Sequence, residues 1–406
     1  MNSPKSTSVS PAQPIEFRAS KTHGKWKPIE NGSDEDDAKL LRAFISGMMT
    51  DENLVVMSGL GMSLCVKDSA GKTLAPTMGE LWDDAVNIWK ACINKGDDAE
   101  GDINKLCTQI HYDAPPDKRD FEELMSRCNL ALRFNVDVTI RTFVESLEKR
   151  VVERCRFTGK AADFRHHEDF LRRVARRATR RPRMKLFTTN YDLCFEEAAA
   201  RSRFVTVDGF SHAMPQEFDG TYFGYDIVRR DASEGTPDYI ENVFHLYKLH
   251  GSLDWERKED GRVVKNPAVA NPVIIYPRDT KFAASYEQPF LEMMSRFQTA
   301  LRQPKTALLV MGFGFADKHL AEPILAALRS NVSFKMLIVD PSLKQRLEGG
   351  DNDAYKQIDR FAAAADPRLG LLNAKFEEFV THIPDLVAAT EDERLQKLRA
   401  TALTQP

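Results

Sequence analysis

At 406 residues, with 42% hydrophobic and 29% charged content, the chain has the make-up of a soluble globular protein, long enough for two domains or for one large domain carrying an insertion. Its 57 basic and 60 acidic residues leave a net charge of −3, so no overall charge draws it to nucleic acid or to an anionic membrane. No apolar run approaches the roughly 18 residues of a membrane helix, and Met1 to Phe17 is too polar for a signal-peptide core, so a cytoplasmic protein without membrane association is expected.

Residues 1–36 are rich in Ser, Pro, Lys and Asp and read as a disordered or loosely packed N-terminal arm. Ser33 and the acidic run after it suit the start of a helix reaching about Met49, with Leu40, Leu41, Phe44 and Ile45 on one face. Asn53 to Ser58 is a buried-strand pattern that opens into Gly59-Leu60-Gly61-Met62-Ser63. Helical spacing then takes over in Leu81, Ala85, Ile88 and Trp89, and again in Leu124, Cys128 and Leu132. Strand and loop patterns bound this block on both sides. It therefore reads as a helical subdomain, residues 80–182, inserted between a first sheet segment, 37–79, and the remainder of the sheet domain, 183–388, with 389–406 as a C-terminal tail.

Within 183–388, strand-like runs at Met184 to Phe187, Phe204 to Val207, Phe244 to Leu249, Val273 to Tyr276, Ala307 to Met311 and Phe334 to Val339 alternate with helical ones at Phe195 to Arg203, Pro289 to Leu301 and Lys318 to Arg329. That alternation predicts an α/β fold built on a doubly wound, mainly parallel sheet. Between Arg172 and Arg183, seven arginines form two stripes at helical spacing. Such stripes read as a solvated face, or as a contact for an acidic partner, a second subunit or a nucleic-acid backbone. No aromatic residues interleave them, so base stacking is not expected, and direct nucleic-acid binding is not the favoured reading.

Five strand-like runs end in glycine or polar residues, where an open α/β sheet binds its ligands. Gly59, Gly61 and Ser63 suit a pyrophosphate, because glycine admits close backbone approach and a hydroxyl can donate; an ordinary strand-to-helix turn has the same spelling. In Thr188-Thr189-Asn190-Tyr191-Asp192, the Asn190 amide both donates and accepts, and Asp192 can accept from a carboxamide; helix capping is the alternative. His250, followed by Gly251, is the candidate base, since imidazole is the side-chain type that exchanges protons near neutrality, although a lone histidine after a strand is often structural. Gly312 and Gly314 form a second glycine turn, and Asp340 ends the next strand, suited either to an adenosine ribose diol or to a turn before Pro341. Asp317 reads as a helix cap.

Taken in order, the Gly-x-Gly-x-Ser loop, the Thr-x-Asn-x-Asp segment (from Thr188), the His250-Gly251 pair and the Gly312-to-Asp317 turn resemble the sirtuin family over most of residues 40–385. The resemblance implies a Rossmann-like, sirtuin-like sheet with its smaller domain inserted after the first loop, and NAD as substrate. It implies catalytic roles for Asn190, Asp192 and His250, and cofactor contacts from Gly59, Gly61, Ser63, Thr189, Gly312, Gly314 and Asp340. The six cysteines all lie at or before Cys194 and form no Cys-x-x-Cys pair, so the structural zinc of deacylating sirtuins cannot be built after the His-Gly pair, and no metal is expected. The segment around Pro76, Thr77, Met78, Leu81 and Trp82 resembles instead the NAD-hydrolysing branch found in bacterial anti-phage defence.

These expectations combine into an NAD glycohydrolase that releases nicotinamide and ADP-ribose. A protein deacylase or ADP-ribosyltransferase, and a non-catalytic NAD or ADP-ribose sensor, are the alternatives. With little chain left beyond the last predicted helix, no sensor domain of its own is expected. Control is assigned to self-assembly as a homo-oligomer or to a partner, which the resemblance suggests is a HerA-type ATPase.

Overall fold

The computed structural model describes residues 15–29, 36–93, 99–112, 119–134, 137–157, 162–230, 238–276, 287–350 and 352–386. The proposed tail 389–406, Ser33 and most of the 1–36 arm lie outside them. The strands in chain order are β1 (Ile15–Ala19), β2 (Lys27–Ile29), β3 (Asn53–Ser58), β4 (Lys185–Thr188), β5 (Val205–Val207), β6 (Val228–Arg229), β7 (Asp238–Tyr239), β8 (Val243–Lys248), β9 (Trp255–Arg257), β10 (Val263–Lys265), β11 (Thr306–Met311), β12 (Lys335–Val339) and β13 (Leu369–Asn373). Nine of them form one sheet in the order β2-β1-β13-β12-β11-β3-β4-β8-β5. From β13 to β5 every pairing is parallel; β1 and β2 add an antiparallel edge.

The parallel strands are apolar on both faces, as helices on both sides require. Leu54 and Val56 of β3 join one core with Leu186, Leu309, Leu337 and Leu372. Val55 and Met57 join the other with Phe187, Leu308, Val310 and Ile338. After β3 the chain lays β4, then the edge strand β5, then β8 between them, and returns to lay β11, β12 and β13 on the other side. The order therefore reverses between β3 and β11, and the crevice beyond their carboxyl ends is where such a sheet holds a ligand. This is a doubly wound, Rossmann-like α/β fold. Among the described residues no helix is long and apolar enough to cross a membrane.

Helices α1 (Asp36–Met49) and α2 (Leu60–Ser63) flank β3, and α3 (Met78–Ile93), α4 (Ala99–Gln109), α5 (Phe121–Phe134) and α6 (Val138–Cys155) follow. These last four have a core of their own, with Trp82, Trp89, Leu106, Phe121, Phe143 and Leu147 buried together. They pack over the carboxyl ends of the strands. After α7 (Arg165–Phe170) and β4, helix α8 (Cys194–Arg201) begins directly beyond the Thr188–Asp192 segment.

Three expectations change. Residues 15–29 are part of the sheet rather than a loose arm: Ile15, Phe17 and Ala19 are buried in alternation with Glu16 and Arg18, the period-two pattern of a strand, and β1 pairs with β13. Val273 to Tyr276 is no sheet strand; it crosses the strand ends, with only Ile274 bridged to Gly251 and the Ile275 N–H bonded to the His250 carbonyl at 2.8 Å. The arginine stripes are not a solvated helical face. Regular helix gives way to a wide turn at Leu171–Ala175, and Arg176, Arg177 and Arg183 are buried. Arg177 donates to the carbonyls of Asp51 and Glu52, and Arg183 to the Asp226 carboxylate at 3.0 Å, so these side chains satisfy polar groups within the fold.

Two buried histidines make stability depend on acid. His167 is enclosed by Phe164, Phe195 and Phe376, and His245 lies in β8 beside Tyr247; burial lowers the pKa of each to about 4. In the unfolded chain the same rings take up protons near about 6.5. Between those values the unfolded state binds more protons, so stability is unimpaired above about 6.5 and falls as pH drops toward 4. We expect each ring to contribute a loss of about 3 kcal/mol at most across that window. Melting temperatures recorded from pH 7 to 4 check this: His167→Phe should flatten the decline, and an unchanged slope would assign it to other groups.

Candidate active site

At the carboxyl ends of the central strands, Ser58, Thr188, Lys248 and Met311 stand in adjacent register. The loops leaving them converge on one cavity. It is lined by Gly59 and Leu60 after β3, Thr189 to Asp192 after β4, His250 after β8, and Gly312, Phe313, Gly314, Ala316 and Asp317 after β11. The opposite wall comes from the helical block through Met78, Leu81, Glu122, Val151 and Cys155. The result is a mostly apolar chamber with polar groups gathered on the sheet side, as ligand pockets commonly have.

The polar groups are chained together. Asn190 Nδ2 donates to the Gly59 carbonyl at 2.9 Å and to Ser63 Oγ at 2.8 Å, and the Ser63 hydroxyl donates in turn to Asp192 Oδ2 at 2.6 Å. Asp192 Oδ1 accepts from the Cys194 N–H at the start of α8, at 3.1 Å. Because a carbonyl only accepts, the Asn190 nitrogen must face Gly59, leaving its Oδ1 as the uncommitted acceptor. Beneath this chain the ammonium of Lys248, 2% exposed, donates to the carbonyls of Asp192 and Tyr191 and pairs with Glu196 Oε1 at 3.2 Å. Burial raises the Glu196 pKa, with the Lys248 charge opposing it.

His250 projects from a turn that only glycine can complete. Gly251 has φ +84°, and a Cβ there would lie 2.1 Å from the Val273 carbonyl. The His250 Nε2 lies 3.2 Å from Asp317 Oδ2, while the Asp317 carboxylate also caps the helix Lys318–Ser330 by accepting from the His319 N–H at 3.0 Å. Cys155, in the far wall, has its thiol pushed up to about 12 by burial, so it is no thiolate nucleophile at neutral pH.

Of the residues singled out in the sequence, Gly59, Thr189, Asn190, Asp192, His250, Gly312 and Gly314 line this cavity. Gly61 faces a neighbouring one, which shares Gly312 and is lined also by Lys67, Thr73, Val339, Pro341 and Lys375. Ser63 is 1% exposed with its hydroxyl committed to Asp192, so it holds the site together and is not presented to a phosphate. The Asp340 carboxylate is buried between Val339 and Pro341, accepting from the Ser342 N–H at 2.7 Å, which is the turn-forming alternative. Glycine in the first loop serves backbone packing: a Cβ on Gly59 would meet the Gly312 carbonyl at 2.4 Å, and one on Gly61 the Gly312 Cα at 2.6 Å. Sequence reasoning missed the Lys248–Glu196 clamp, the Asp317–His250 pair and the helical wall, since each depends on partners distant along the chain.

Residues 184–348 match a family model described as the SIR2-like domain, a span that contains Asn190, Asp192, His250, Gly312, Gly314 and Asp340. A comparison with curated proteins gives no match. The domain match supports a sirtuin-like family for this chain, and SIR2-like domains use NAD. Among the described residues, no group of three or more His, Cys, Asp or Glu side chains is placed to hold a metal ion.

Proposed function

We propose that the protein is an NAD glycohydrolase, which breaks the nicotinamide–ribose bond with water to give nicotinamide, ADP-ribose and a proton. The observation that carries this reading is the convergence of Asn190, Asp192 and His250 on one cavity at the point where the strand order reverses. The reaction needs an oriented ribose, an oriented water and shelter from bulk solvent while an oxocarbenium-like centre forms. Asn190 Oδ1 is the free acceptor for a ribose hydroxyl or the water, held in place by the bonds its nitrogen makes. Asp192 sits beside it to receive the carboxamide N–H of nicotinamide, and His250 takes the proton. The pyridinium leaves as a neutral ring, so its departure needs no acid.

The adenosine half is assigned to the neighbouring cavity across Gly312, where Lys67 and Lys375, beside Glu377, supply positive charge for phosphate. Thr189 and the Gly59 and Gly314 backbone border the crossing. We extend the proposal to a role as an anti-phage defence effector, acting as a homo-oligomer and paired with a HerA-type ATPase; the sirtuin-like resemblance is the support for that extension. Purified full chain incubated with NAD alone should yield nicotinamide and ADP-ribose in equal amounts. Release that appears only with an acylated peptide or an acceptor protein would mark a deacylase or ADP-ribosyltransferase, and binding without release would mark a sensor.

A further inference from the structure

We infer that Asp317 is a positioning residue for His250: it fixes the imidazole as the Nε2–H tautomer and holds the charge the ring acquires when Nδ1 takes a proton. The reaction it serves rests on the NAD-hydrolysing reading; the pairing itself rests on geometry. Asp317 Oδ2 lies 3.2 Å from His250 Nε2, with the two side chains 10% and 12% exposed. A carboxylate only accepts, so the ring nitrogen facing it carries the hydrogen, and the lone pair is left on Nδ1.

The rest of the loop is built to hold this contact. The second oxygen of Asp317 is tied to the His319 N–H, and Phe315, at φ +53°, is buried between Phe313 and Tyr355. A bulky residue in the left-handed region is strained, and the packing of Phe315 against both rings offsets that strain. On the other side the His250 carbonyl is bonded by the Ile275 N–H. One carboxylate thus joins a helix start to the imidazole, and neither can turn alone.

In the step served, water adds to the anomeric carbon and the bond to nicotinamide breaks, its electron pair leaving with the neutral ring. The proton released by the water passes to Nδ1, giving an imidazolium beside the Asp317 carboxylate, and later returns to solvent. If Asp317 were a helix cap alone, any good capping residue would replace it.

Asp317→Ser separates the two roles, because serine caps a helix well but offers the ring no charge. We expect its melting temperature to stay near wild type while kcat falls on the order of a hundredfold and KM for NAD holds. Asp317→Glu should recover part of the loss. The imidazole nitrogen resonances of His250, identified by their absence in His250→Gln, should change from one Nε2–H form to a mixture in Asp317→Ser. Unchanged kcat with an unchanged tautomer would overturn the inference, as would a kcat loss that merely tracks a lower melting temperature. Should the wild-type chain release no nicotinamide, the proposed activity fails, and the tautomer measurement alone still decides the pairing.

Discussion

Asn190→Ala and His250→Ala should each lower nicotinamide release on the order of a hundredfold or more while leaving the protein folded. Alanine at 190 removes the acceptor for ribose or water and also frees the Gly59 carbonyl and Ser63 Oγ from the amide. Asn190→Asp sharpens the test: it keeps an acceptor of the same size but sets a carboxylate against the Gly59 carbonyl, which can only accept. Its turnover should therefore fall as well. For His250 the loss should lie in kcat, since the ring handles a proton rather than anchoring the dinucleotide. Wild-type turnover in either alanine variant, with melting unchanged, removes that residue from the mechanism.

Lys248→Met should be the most damaging single change to the framework of the site. It leaves the half-buried Glu196, 23% exposed, without its cation and strips the Asp192 and Tyr191 carbonyls of a charged donor. Breaking one side of a buried pair costs about 3–5 kcal/mol, and Lys248 itself is nearly fully enclosed. Lys248→Met combined with Glu196→Leu should recover much of that stability, because two well-packed apolar side chains no longer strand a charge. Turnover should stay low in the double variant, since nothing then anchors the backbone that aims Asn190 and Asp192. Denaturant titration and nicotinamide release together check this. A single variant that melts and turns over like wild type would show the clamp to be dispensable.

The parallel sheet was legible in the sequence because each of its central strands is a continuous apolar run followed at once by glycine or polar residues, as in Asn53 to Gly59 and Thr306 to Gly312. The same punctuation pointed to Asn190, Asp192 and His250, which do share a cavity. The side-chain assignments within it were harder to read. Spacing places Ser63 near a loop but does not say that its hydroxyl faces Asp192, and Asp317 reads as a cap because one of its two oxygens is one. The arginine run has helical spacing, yet its helix stops at Ala175, where the chain turns to enter β4, and Arg177 is drawn to the Asp51 and Glu52 carbonyls just before β3. Strand β1 escaped notice because a five-residue strand with two charged residues carries little apolar signature; its pairing with β13 decides its conformation.

That pairing also governs how the molecule ends sideways. All five residues of β13 are buried, and β1 covers its outer backbone from Glu16 opposite Asn373 to Ala19 opposite Gly370. Among the described residues, β1 is followed outward only by the three-residue β2, whose middle position is Pro28, and the opposite border is the three-residue β5. Short terminal strands, one of them interrupted by proline, give a foreign strand few amides to dock on. Removing the segment up to Ile29 would uncover the five-residue apolar edge of β13, so β1 closes a sheet border that lies apart from the ligand crevice.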